Sequence, residues 1–116
     1  MSNELVQTVK FLLLHWERLP KIREASADFI KKLDPFMKDL DPTLIVARQV
    51  NLELVNVIDR VFAFVKKIET QDINAFDALE ETAKLNSELH QALTESKEIE
   101  QMVMDRLSEM KKELGI

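Results

Sequence analysis

Between Pro42 and Gly115 the chain contains neither proline nor glycine, and this uninterrupted run limits the possible folds more than any other feature. Helix-forming residues fill it, so the only stable way to use it is as long helices that bury apolar faces on one another. Helix-breaking residues occur at few places. Asp34-Pro35 and Asp41-Pro42 each place a carboxylate able to cap a helix before a proline suited to the first helical position. Gln71-Asp72 is a further polar break: Asp72 can cap the next helix, and Lys66 and Lys67 complement the negative end of the preceding one. Gly115 stands just beyond Lys111 and Lys112, where a helix stop is expected. These signals predict a helix from Asn3 to Leu33 interrupted at Pro20, a short helical turn from Pro35 to Leu40, and helices over Pro42–Thr70 and Ile73–Leu114. At Pro20 a kinked continuous helix competes with a corner between two helices; the neighbours Leu19 and Lys21 are not turn formers, which favours the kink.

Apolar spacing then says how the helices meet. Leu5, Val9, Leu12, Trp16 and Leu19 form one stripe in three- and four-residue steps, and Ile22, Ala25, Phe29 and Leu33 extend it. In the next long helix Leu44, Ala47, Asn51, Leu54, Ile58, Val61, Val65 and Ile68 keep a seven-residue repeat. Val50, Val57 and Phe64 add a second apolar row there. A helix apolar around so much of its circumference belongs at the centre of a bundle. Phe76, Leu79, Ala83, Leu89, Leu93, Ile99, Val103, Leu107, Met110 and Leu114 give the last helix a thinner stripe. The expected fold is all-α: one domain over residues 1–116, built as an elongated antiparallel three- or four-helix bundle with a long C-terminal helix and coiled-coil-like seams.

Length arithmetic gives this picture a consequence. A last helix of some forty residues runs roughly 63 Å, whereas a compact domain of this size has a radius of gyration near ~13 Å. A short link at Gln71 makes the last two helices an antiparallel hairpin, and the first arm is expected to run out when the second has reached Glu100. Met102, Val103, Met104, Leu107 and Met110 would then need cover from the first helices, from the Phe36–Leu40 turn or from a second chain, and a second chain is the favoured source of at least part of it. Burying five such side chains fully is worth about 1.5–3 kcal/mol each. Phe11 and Leu14 project away from Leu5 and Val9 and make a second candidate contact surface, against the alternative of extra cover within the same chain.

Few residues point to chemistry. There is no cysteine, which removes disulfides, thiolate nucleophiles and cysteine metal sites, and a single glycine excludes phosphate-cradling loops. His15 and His90 lie on different helices without Glu-x-x-His spacing, since the relevant positions hold Leu12 and Ser87. The five serines lie in ordinary helical or terminal contexts, so no nucleophile triad is expected. No cofactor, no metal and no catalysis are expected. Asn51 within the heptad either sets register by pairing in the core or sits at its edge.

The net charge of −5 is uneven: residues 71–116 carry five basic and eleven acidic groups. That balance argues against nucleic acid, whose phosphates call for cations. The carboxylates of the last helix read as a solvated face or as a docking surface for a basic partner. Neither a signal peptide nor a membrane span is expected, and the expected compartment is the cytoplasm. The leading functional expectation is a non-catalytic interaction module, a scaffold, adaptor or accessory subunit that self-associates through apolar helix faces, as a dimer or with another protein. An acidic inhibitor or antitoxin-like partner of a basic protein is the alternative, and a ligand-binding bundle around Asn51 and His90 is a further one.

Overall fold

The computed structural model describes residues 2–39 and 41–115. It contains α1 (Ser2–Leu12), a 3-10 turn (Trp16–Arg18), α2 (Leu19–Leu33), a second 3-10 turn (Asp34–Asp39), α3 (Pro42–Thr70) and α4 (Ala75–Leu114), with no strand among the described residues. The fold is the expected all-α bundle with a long C-terminal helix. It is a rod of 62 × 20 × 20 Å with a radius of gyration of 17.7 Å. The 40 residues of α4 alone span roughly 60 Å, so this one helix sets the long axis.

α3 is the central element and matches its expected bounds. Asp41 caps it, its Oδ1 accepting from the Thr43 and Leu44 amides at 3.0 and 3.4 Å. Every member of the predicted heptad from Leu44 to Ile68 is buried, Asn51 included. α1, α2 and α4 all pack on this helix.

The N-terminal third departs from expectation. Pro20 does not kink a continuous helix; it occupies the first turn of α2, where its missing N–H leaves no vacancy. The interruption comes earlier, at Leu13–His15, and His15 takes a left-handed conformation with φ 54°. A helix running through Pro20 would drive the ring into the carbonyl of Trp16, and the chain avoids that clash with the 3-10 turn just before it. The break also rotates the apolar stripe: Val6, Val9, Leu13 and Leu19 are buried, whereas Leu12 is 44% exposed. Trp16 holds the corner against α3 through an edge-to-face contact with Phe62, centroids 5.7 Å apart.

Asp34 ends α2, its backbone N–H closing onto Ile30 and Lys31, and its side chain is not the start of a new α-helix; the Pro35 segment is 3-10. Leu40, the expected end of that turn, lies outside the described residues. Asp72 is likewise not the cap of α4. Asn74 is, accepting from Phe76 N at 2.8 Å and Asp77 N at 3.4 Å, so α4 begins two residues later than expected. Gly115, with φ 72°, closes the helix by donating to Lys111 and Lys112.

The buried seam of α4 is Ala78, Thr82, Leu85, Leu89, Ala92, Ile99, Val103 and Met110, built on the three- and four-residue steps that helix–helix packing at a shallow angle requires. This corrects the predicted stripe at its start, because Phe76 (73% exposed) and Leu79 (40%) face outward. Near the other end, Leu33, Leu44, Ala47, Ile99, Val103 and Met110 form a separate core roofed by Phe29, Phe36, Met37, Val50 and Leu107. The arms of the hairpin are therefore less unequal than expected: α3 runs out opposite Arg106, whose Nε donates to Asp41 Oδ2 at 2.5 Å, and not opposite Glu100.

Candidate interaction surface

α2 and α4 both sit on α3 yet have almost no contact with each other. The space between them is an open groove of about 660 Å³, within the range that ligands and peptide segments occupy. Ile22, Ala25 and Phe29 form its α2 wall, and Leu93 and Thr94 its α4 wall. Asn51 and Leu54 of α3 make the floor. The one-turn spacing of Ile22, Ala25 and Phe29, like that of His90, Leu93 and Lys97, comes from helical periodicity. Asn51 is almost fully buried and donates from Nδ2 to the Ala47 carbonyl at 2.9 Å, so it pairs along its own helix and not across the bundle. Ser26, which also lines the groove, is buried as well.

The rim carries Arg18, Lys32 and Lys97 against Asp28 and Glu100, with His15 and His90 at its edges. Among the described residues Arg18 is the one arginine without a carboxylate partner. Arg23 grips Asp59 in two bonds of 2.6 and 3.1 Å. Arg48 approaches Asp34 at 3.9 Å, and Arg60 Nη1 lies 2.9 Å from Glu88 Oε2 as an ion pair without hydrogen-bond geometry. Arg106 reaches Asp41, Glu109 and Glu113. Its hydrogen bond holds the Asp41 carboxyl below the ordinary carboxylate range, against the opposing effect of desolvation. These paired cations fasten helices together. The cations of the groove rim have no carboxylate partner among the described residues and do not.

The seven residues singled out as contact candidates are dispersed. Phe11 is 87% exposed, and Met102 and Met104 are 56% and 53% exposed. Val103 and Met110 are buried in the second core, with Leu107 half-buried against it. Leu14 is half-buried against the first core, and its N–H donates to Asn86 Oδ1 of α4 at 2.9 Å. Asn86 Nδ2 in turn donates to the Leu12 carbonyl at 2.9 Å. Because Asn86 marks where α1 meets α4, Phe11 lies roughly 24 Å along the rod from Met102.

The groove residues had a sequence signal only as two separate stripes; nothing in the spacing states that α2 and α4 stay apart. No group of three or more metal-ligating side chains occurs among the described residues. No helix among them is long and apolar enough to cross a membrane. Comparison with protein-family models, with curated proteins and with solved structures finds no match to this chain.

Proposed function

We propose that the protein is a non-catalytic helical interaction module, a scaffold, adaptor or accessory subunit, that self-associates by taking a helix into the groove between α2 and α4. The open groove is the observation that carries this reading. α2 and α4 part over α3 and leave the groove walls Ile22, Phe29 and Leu93 only half-buried, and a fourth helix there completes a four-helix arrangement. The apolar walls and charged rim match the way grooves receive amphipathic helices, through apolar anchors one turn apart with polar residues at the edges. Exposed Phe11, Met102 and Met104 supply further apolar contact area outside the groove.

Sedimentation equilibrium tests this reading on the unmodified chain and on Ala25→Arg, which puts a bulky cation on an exposed groove wall. The expected result is a concentration-dependent dimer for the former, weakened at least tenfold in the latter with unchanged circular dichroism. A strict monomer at hundreds of micromolar rejects the reading.

A second reading draws on the same space. Asn51 on the floor and His90 at the edge suit a small amphipathic ligand, and saturable binding of such a compound by monomeric protein, lost in Ala25→Arg, would favour it over self-association.

A further inference from the structure

The groove has one occupant whose chemistry is already present in this chain. At the start of α4, Phe76, Leu79 and Ala83 recur in steps of three and four, and all three are exposed. They therefore form an outward apolar stripe that the chain's own core leaves uncovered. The segment that carries it is acidic, with five acidic residues and one lysine from Asp72 to Glu88, and Asp77 and Glu80 lie on the flank of the stripe away from the buried seam. The groove offers the complement, with half-buried Ile22, Phe29 and Leu93 as its apolar walls and Arg18, Lys32 and Lys97 outnumbering Asp28 and Glu100 along its rim.

We propose that the first turns of α4 from a second copy of this chain fill the groove, Phe76 and Leu79 entering between α2 and α4 while Asp77 and Glu80 meet the rim cations. This inference rests on the self-association reading above and names the segment that does the associating.

The dimensions agree. Arg18 to Lys32 spans roughly 21 Å of groove, and Phe76 to Ala83 spans roughly 10 Å of helix. The groove and the segment share α4, at different heights, so two copies with antiparallel α4 helices present segment to groove twice. That arrangement is a closed two-fold dimer, in which each residue pair occurs reciprocally. Charge acts with shape here, because like charges abut if the copies run parallel in register, whereas the antiparallel pair places the acidic start of each α4 over the other's basic rim.

The test uses full-length chains carrying compensating charge changes, with sedimentation velocity as the readout and circular dichroism to confirm that each variant is folded. Asp77→Lys/Glu80→Lys places cations on the segment, and Arg18→Glu/Lys97→Glu places anions on the rim. Each variant alone is expected to dimerise at least tenfold more weakly than the unmodified chain. An equimolar mixture of the two is expected to recover a dimer, because in it one groove–segment contact pairs Lys with Glu. Unchanged dimerisation of Asp77→Lys/Glu80→Lys overturns the inference, and if Ala25→Arg still disrupts that dimer the self-association reading survives it. Failure of the mixture to recover also overturns the pairing. A monomeric unmodified chain overturns both, including the case in which the groove instead binds an added acidic amphipathic peptide.

Discussion

Single side chains resolve two problems that the backbone creates. The break after α1 frees the Leu12 carbonyl and the Leu14 amide, and Asn86 answers both from α4. An Asn side chain carries one acceptor and one donor group, so it can serve a carbonyl and an amide together. Asn86→Leu removes both bonds and is expected to cost about 1–2 kcal/mol in urea unfolding, with faster hydrogen exchange at the Leu14 amide. No sequence signal marks this residue, because its partners lie more than seventy positions away. Asp41 was legible as a cap from the Asp-Pro step, whereas its bond to Arg106 was not. That bond lowers the Asp41 carboxyl pKa, so the ionised form is favoured in the folded state. The resulting stability is fully present above the unfolded carboxylate value near ~4 and is lost as pH falls through the lower folded value. Asp41→Asn is expected to lower the melting temperature at pH 7 and to flatten its fall between about pH 5 and 2.

At the level of elements, α3 was readable almost to the residue, since its cap, heptad and length all point the same way. α4 was readable in extent but not in rotation. Its first seam positions are Ala78 and Thr82, small residues that weigh little in an apolar pattern, beside the larger Phe76 and Leu79 that turn outward. Close packing selects the small ones where helices approach most nearly. Thr82 also satisfies its hydroxyl within the helix, donating to the Ala78 carbonyl at 2.8 Å. Thr82→Leu is accordingly expected to overpack the seam and destabilise by about 1–3 kcal/mol. Phe76→Lys is expected to change monomer stability by only about 0.5 kcal/mol. Denaturant titration at low protein concentration separates the two. The α1–α2 corner was misplaced because Pro20 is compatible both with a kink and with the first turn of a helix, and the left-handed His15 that decides between them takes a conformation that histidine favours more than most residues yet adopts too rarely to be read from the sequence.

Across the whole molecule, the rod shape was legible from helix length, and the cover of the C-terminal helix was only partly so. Phe36 and Met37 of the second 3-10 turn pack against the core that holds Val103 and Met110, so the carboxyl end has less surface seeking a partner than its composition suggests. The open groove lies at mid-rod, where α2 and α4 part over α3. A groove of this kind depends on the relative placement of three helices, which no local pattern encodes. The most direct measurement is small-angle scattering over a concentration series. Self-association through the groove predicts forward scattering that rises toward twice the monomer value, with a thicker cross-section and a maximum dimension well short of double the 62 Å rod. Forward scattering that stays at the monomer value, or a dimer that doubles in length by meeting end to end, would contradict it.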